Sequence, residues 1–208
     1  MRAGAWPVHD RRHRAGVESI PALTRRLFAG LELDGATRDG CAGAAERLQR
    51  TGFAARYESA DNYHLTLAFL GNVAAGRFAQ MTAALRRAAN ACAAFEICLD
   101  KLGAFPHERK PRIVFAGARR QGPKFAAMAA TVRDVYRSEG FRLEGDAIAH
   151  VTIARVKDPR RPLPPVEIQP IRFAVRSIAL FESVLDPERG SSRYTVVERA
   201  PAAGAAAG

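Results

Sequence analysis

The sequence lacks the features that mark several common classes of protein. Its three cysteines form no CxxC pair, and an odd number argues against a disulfide framework. No run approaches the roughly eighteen apolar residues that a membrane-spanning helix needs. Near the N-terminus, no apolar segment is followed by a small-residue cleavage site. We therefore expect a cytoplasmic protein with reduced thiols and no membrane contact.

Motifs for common cofactors and metals are also absent. No glycine-rich loop of the Walker or dinucleotide-binding type occurs, which argues against a nucleoside triphosphatase or a dehydrogenase. No HExxH motif or cysteine cluster supports a metallohydrolase. Cys92 and Cys98 lie in no recognisable nucleophile turn, so a cysteine hydrolase has no support. We expect the protein to use no cofactor and no metal.

The charge of the chain points to polyanionic partners. Its 32 Lys and Arg against 21 Asp and Glu give a formal net charge of +11. Lys and Arg draw phosphates in at long range, so nucleic acid is one class of partner that this charge favours. The signal is unspecific, because many Arg-rich proteins are basic for compositional reasons alone.

The chain divides into two tails and one folded domain. Residues 1–23 mix basic residues, Gly and Pro without a period, and residues 200–208 carry no charge and no large side chain. We expect both tails to be disordered. Residues 24–199 contain helical apolar stripes and short strand-like runs that do not alternate regularly. This order favours an α+β fold with antiparallel sheets over a doubly wound one.

Two similar strand-like segments stand out, NYHLTLAFL at 62–70 and AIAHVTIARV at 147–156. Side chains alternate across a strand, so each segment places a His and a Thr on one face and large apolar residues on the other. The pairs are His64 with Thr66 and His150 with Thr152. With five His and eight Thr in the chain, the chance expectation of two such pairs is about 0.015. We therefore interpret the two pairs as functional.

Paired imidazoles and hydroxyls suit the opening of a cyclic phosphodiester. In-line attack needs one group that takes a proton from water and another that gives a proton to the departing oxygen, and histidine titrates in the right range for both. Two hydroxyls can donate hydrogen bonds to the phosphoryl oxygens as negative charge gathers there. By simple alternation Arg155 falls on the apolar face, so a phosphate contact requires that the strand bends or that the side chain reaches the groove edge.

The two motifs resemble those of a known superfamily. HLTL at 64–67 and HVTI at 150–153 are similar to the paired HxTx motifs of the 2H phosphoesterases, and especially of the bacterial and archaeal RNA 2′,3′-cyclic phosphodiesterases, also called 2′-5′ RNA ligases. The likeness extends over residues 25–198, with RLFAGLEL resembling the opening strand and LFESVLDPERGSSRYTVV the closing hairpin. Two departures concern the pocket. ARYESADNY stands where an aromatic and Pro-containing segment is common, and Phe115 stands where Trp is common.

This resemblance implies both a fold and an activity. The fold would be bilobal, with two pseudo-symmetric halves of antiparallel sheet plus helices around a central groove. The activity would be metal-free hydrolysis of an RNA 2′,3′-cyclic phosphate to a 2′-phosphate. Carried over by position, His64 would be the proton donor to the leaving 3′ oxygen and His150 the proton acceptor, while Thr66 and Thr152 would hold the phosphate. The protein would be a monomer acting on RNA ends, tRNA fragments among them.

Two other functions remain open from the sequence. The same four residues fit another 2H activity, such as cleavage of a cyclic nucleotide derivative or of a 2′-5′ linkage, including reversible 2′-5′ RNA ligation. A module that binds RNA without turnover is the alternative from another class, and the intact motifs argue against it.

Overall fold

The computed structural model describes residues 23–143, 145–187 and 191–205. The predicted basic tail, 1–23, therefore lies outside the described residues except for Leu23. The strands are β1 (Thr24–Glu32), β2 (Arg56–Tyr57), β3 (His64–Ala74), β4 (Phe95–Leu99), β5 (Lys101–Phe105), β6 (Ile113–Gly117), β7 (His150–Arg155), β8 (Ile171–Val175), β9 (Ser177–Asp186) and β10 (Ser191–Pro201). The helices are α1 (Gly35–Arg50), α2 (Phe78–Asn90) and α3 (Pro123–Ser138).

The strands form two four-stranded antiparallel sheets and one two-stranded ribbon. The first sheet has the order β10-β9-β1-β3, the second has the order β2-β7-β6-β5, and β4 pairs with β8 in the ribbon. Each large sheet carries one HxTx motif, at the start of β3 and of β7, and these two strands contact each other. The predicted α+β fold with antiparallel sheets and two halves is confirmed.

The helices cover one side of each half. Helix α1 begins where the Asp34 carboxylate accepts a hydrogen bond from the Thr37 N–H at 2.7 Å, and it packs on β7 and β8. Helices α2 and α3 pack on each other and on strands of the first sheet. Helix α3 starts with Pro123 and is followed by Gly140 at φ +87°, a left-handed conformation that suits glycine after a helix end. None of these helices, within the described ranges, is both long and apolar enough to cross a bilayer.

The apolar faces of the two motif strands form part of one core. Leu65, Leu67, Val151 and Ile153 are each at most 1% exposed and belong to the same cluster of buried side chains. Burial of one such side chain contributes about 1.5–3 kcal/mol, so these residues anchor the strands firmly. The opposite faces, with the His and Thr of each motif, are only half-buried.

The C-terminal segment corrects one prediction. Disorder over 200–208 is wrong for residues 200–205, because β10 continues to Pro201 and the Ala202 side chain is only 3% exposed. The Ala203 N–H then donates to the carbonyl of Cys92 at 2.7 Å. The small side chain of Ala202 packs into the core, while Ala203 and Gly204 are exposed. Residues 206–208 lie outside the described residues.

Candidate active site

Matching irregularities shape the two motif strands. The pairing of β1 with β3 skips Leu67, and the pairing of β6 with β7 skips Ile153. These are the fourth residues of HLTL and HVTI, so each motif carries a β-bulge at the same place. The backbone N–H of Glu58, just beyond β2, donates to the carbonyl of Ile153 at 2.9 Å. The carbonyl of the bulged residue in the second motif therefore has a hydrogen-bond donor.

The bulges change which residues share a face with the histidines. A regular strand alternates strictly, but one extra residue shifts the alternation by one position. The sixth residue of each segment, Phe69 after His64 and Arg155 after His150, therefore returns to the face of its own histidine. The simple alternation that placed Arg155 on the apolar face is thus wrong, and the physical reason is the bulge at Ile153.

The predicted site residues line two adjoining cavities that form one groove. A cavity of about 230 Å³ is lined by His64, Thr66, Thr152 and Arg155. The neighbouring cavity, of about 430 Å³, is lined by His150 and again by Thr66. Thr66 and Phe69 belong to both cavities and join them. The structure therefore brings all five predicted site residues to one groove between the halves.

The His64 ring is held by one carbonyl and three aromatic rings. Its Nδ1 lies 2.7 Å from the carbonyl oxygen of Asn62. The ring centroids of Phe28 and Tyr194 both lie 4.7 Å from that of His64, and that of Phe181 lies at 5.5 Å. A carbonyl only accepts hydrogen bonds, so Nδ1 carries the proton and Nε2 is the nitrogen available for chemistry.

The His150 ring is held in the same way. Its Nδ1 lies 2.9 Å from the carbonyl oxygen of Ile148, and the ring centroids of Phe105 and Phe115 lie at 5.1 and 5.4 Å. Phe115 lies flat against two glycines, since a Cβ on Gly103 or Gly117 would come within 2.6 or 2.8 Å of its ring. Phe115, which stands where Trp is common in the resembling family, is therefore a buried residue that packs beside the second histidine.

Burial keeps both imidazoles neutral in the free protein. Loss of hydration lowers the pKa of His64 to about 4, and the permanent positive charge of Arg155 also lowers it. Burial also lowers the pKa of His150, and in both rings the carbonyl hydrogen bond acts in the opposite direction. A neutral ring with the proton on Nδ1 offers an Nε2 lone pair as a base, and the protonated ring offers Nε2–H as an acid. The pair can therefore perform acid–base chemistry on a ligand held between them.

The titration of these rings gives a first prediction. We expect the pKa of His64 to lie near 4 in the free protein and to rise by at least one unit when inorganic phosphate binds, because a nearby anion favours imidazolium. Chemical shifts of the ring Cε1–H, followed from pH 3.5 to 8 with and without phosphate, measure this. Because the folded pKa lies below the unfolded value near 6.5, stability should fall as the pH drops from 6.5 to 4. A free-protein pKa at or above 6.5 for His64 would contradict the prediction.

Several groove residues were not predicted from the sequence. Arg155 Nε donates to Glu58 Oε1 at 2.7 Å, and the Glu58 side chain is only 10% exposed. The Arg26 guanidinium lies 5.0 Å from the ring centroid of Phe69, which is 47% exposed. Phe69 follows His64 by five positions, as Arg155 follows His150. This equal spacing is the sequence signal that could have placed Phe69 in the groove.

Potential metal ligands and cysteine thiols are placed as follows in the part of the chain that the structure describes. In the described ranges, no group of three or more His, Cys, Asp or Glu side chains is placed to hold a metal ion. Cys41 and Cys92 are buried and Cys98 is half-buried, and none of the three lines the groove cavities.

Comparison with known proteins gives a consistent set of similarities. The sequence model of the LigT-like phosphoesterases matches residues 31–115 and 118–190. The RNA 2′,3′-cyclic phosphodiesterase of Thermotoga maritima is 25% identical over 166 residues, which cover 78% of this chain and 88% of that protein.

Solved structures extend the similarity to the fold. TT0787 of Thermus thermophilus superposes with a TM-score of 0.73 at 30% identity, covering 85% of this chain and 97% of that one. Apo LigT of E. coli gives a TM-score of 0.69 at 27% identity, with 86% and 98% covered. LigT has also been crystallised in complex with 3′-AMP and with phosphate.

Proposed function

The chain belongs to the LigT-like phosphoesterase family, and on this basis we propose that it hydrolyses RNA 2′,3′-cyclic phosphate ends to 2′-phosphate ends without a metal ion. One observation carries the proposal. Two imidazoles with the same backbone tether, Nδ1 to the carbonyl two residues before, line one groove together with two threonines. The name shared by the relatives and the capture of 3′-AMP and phosphate by LigT support it.

The proposed reaction is an in-line displacement at phosphorus. The Nε2 atom of His150 takes a proton from water as the water oxygen forms its bond to phosphorus. The bond from phosphorus to the 3′ oxygen breaks, and the Nε2–H of His64 gives its proton to that oxygen, leaving a 3′-hydroxyl and a 2′-phosphate. The pKa of His64 is about 4 in the free protein, so it must gain its proton in the complex, where the bound phosphate raises the pKa.

Other groove residues have roles that follow from their chemistry. The hydroxyls of Thr66 and Thr152 donate hydrogen bonds to the phosphoryl oxygens, whose charge grows in the transition state. Arg155 uses Nε for Glu58, and the described residues leave its Nη groups without a hydrogen-bond partner, so these are available to the phosphate. The exposed ring of Phe69 offers a surface on which a base can stack.

The product end tests the proposal directly. We expect the purified protein, in excess EDTA, to convert a short RNA ending in a 2′,3′-cyclic phosphate into RNA with a 2′-phosphate end, because both proton transfers use side chains alone. A terminal phosphate that resists a 3′-specific phosphatase but is removed by alkaline phosphatase identifies the 2′-phosphate end. Turnover that appears only after a divalent metal is added would overturn the metal-free reaction, and a 3′-phosphate product would overturn the proposed leaving group.

A further inference from the structure

Glu58 is an acidic side chain placed inside the groove that we propose binds a phosphate group. Its carboxylate accepts from Arg155 Nε at 2.7 Å and lies 3.7 Å from Arg56 Nη2. With only 10% of its side chain exposed, it lines the same cavity as His64. Its backbone N–H also bonds to the bulged residue Ile153, so both its main chain and its side chain are fixed against the second motif.

This carboxylate sets the net charge of the cavity around His64. Arg26 and Arg155 are its cationic lining residues, Glu58 is its acidic one, and His64 is neutral at pH 7 because burial lowers its pKa to about 4. In the free protein, two guanidiniums and one carboxylate therefore give this cavity a net charge of +1, and a proton that His64 gains in a complex comes in addition. Arg56 faces Glu58 from β2 and does not line the cavity.

Substrate and product of the proposed reaction differ in charge. A cyclic phosphodiester carries one negative charge, whereas a phosphomonoester has a second pKa near 6 and carries close to two at pH 7.5. A cavity of charge +1 balances the single charge of the cyclic phosphodiester and leaves part of the charge of the phosphomonoester unbalanced. We propose that Glu58 is a specificity-determining residue that suits the cavity around His64 to monoanionic phosphodiesters and disfavours the dianionic monoester product. This inference rests on the proposed function for the identity of the two ligands.

The variant Glu58→Gln tests the proposal, because it removes the charge and keeps a side-chain oxygen for Arg155 Nε. The electrostatic free energy scales with the charge of the ligand, so the dianion should gain about twice the binding free energy that the monoanion gains. Its affinity should therefore rise by about the square of the factor for the monoanion. We expect adenosine 2′-monophosphate to bind about 25-fold tighter to the variant at pH 7.5 and about fivefold tighter at pH 5.0, where it is a monoanion. The KM for adenosine 2′,3′-cyclic monophosphate at pH 7.5 should fall by about fivefold.

Two further variants separate charge from shape. Glu182→Gln breaks a comparable ion pair, with Arg25 at 2.9 and 2.7 Å, and Glu182 lines neither groove cavity. Glu182→Gln should leave the dissociation constants of adenosine 2′-monophosphate at pH 7.5 and at pH 5.0 unchanged within twofold. Glu58→Asp keeps the charge, so it should keep the preference for the monoanion even if turnover falls. Calorimetric titration measures the dissociation constants, and thermal unfolding checks that each variant is folded.

The outcomes distinguish this inference from the proposed function. Equal tightening of dianion and monoanion by Glu58→Gln, or no tightening, would overturn the role of Glu58. The same shift in Glu182→Gln would overturn it as well. If the wild-type protein hydrolysed no cyclic phosphate, the proposed function would fail. The dissociation constants of adenosine 2′-monophosphate at pH 7.5 and pH 5.0 would still show whether Glu58 disfavours the dianion.

Discussion

Replacement of His64 or His150 by alanine is expected to lower kcat by about 10²–10⁴, the usual contribution of a general acid or base. In the proposed reaction each ring supplies one of the two proton transfers, and no other side chain lining the two cavities shares its backbone tether. The effect should appear in kcat more than in KM, because the lost proton transfer occurs in the transition state. Steady-state hydrolysis of a short RNA with a 2′,3′-cyclic phosphate end provides the measurement.

Controls for these variants must separate chemistry from packing. His64 lies among three aromatic rings, so alanine leaves a void, and His64→Gln serves as the variant of similar volume. His107 is exposed and lines neither groove cavity, so His107→Ala should retain full turnover. Near-normal kcat in a folded variant at either motif histidine would refute the two-histidine mechanism.

Loss of a motif hydroxyl is expected to have the next largest effect. Thr66→Val and Thr152→Val keep the β-branched shape of the strand residue and remove one proposed donor to the phosphoryl oxygens. Removal of one such preorganised donor lowers kcat by about 10²–10³. Single-turnover hydrolysis at saturating enzyme isolates the chemical step, where this loss should be seen.

Serine provides the test of rescue for these threonines. Thr66→Ser and Thr152→Ser restore the hydroxyl and should recover most of the rate, which a purely structural role of the side chain would not explain. Thr195 is an exposed residue of β10 outside the groove cavities, and Thr195→Val should leave the rate unchanged. If valine and serine variants at Thr152 lost the rate equally, the hydroxyl would have no part in the reaction.

Much of the fold and the motif residues could be predicted because they depend on short-range patterns. Alternation along a strand placed the His and Thr of each motif on one face and the buried leucine, valine and isoleucine side chains on the other. The irregular order of helical and strand-like runs favoured an α+β fold over a doubly wound sheet. These patterns are local, and burial in the folded protein enforces them.

The remaining groove residues depend on contacts between distant parts of the chain. A bulge is a property of two paired strands, so the sequence of β7 alone did not show that Arg155 faces the groove. Glu58 reaches Arg155 across 97 residues of sequence, and it stands in the segment where the chain departs from the common pattern. The C-terminal alanines were misread for the same reason, since their order comes from the distant carbonyl of Cys92.

The paired bulges also make the sixth position of each motif a site for redesign. The extra residue, Leu67 or Ile153, is fully absorbed in the core, so the side chain two positions later can be exchanged without repacking the interior. In this chain one half presents an aromatic ring and the other a guanidinium. Exchanging Phe69 and Arg155 would therefore swap the aromatic and the cationic side of the groove, and would test the proposed roles of Phe69 in base stacking and of Arg155 in phosphate binding.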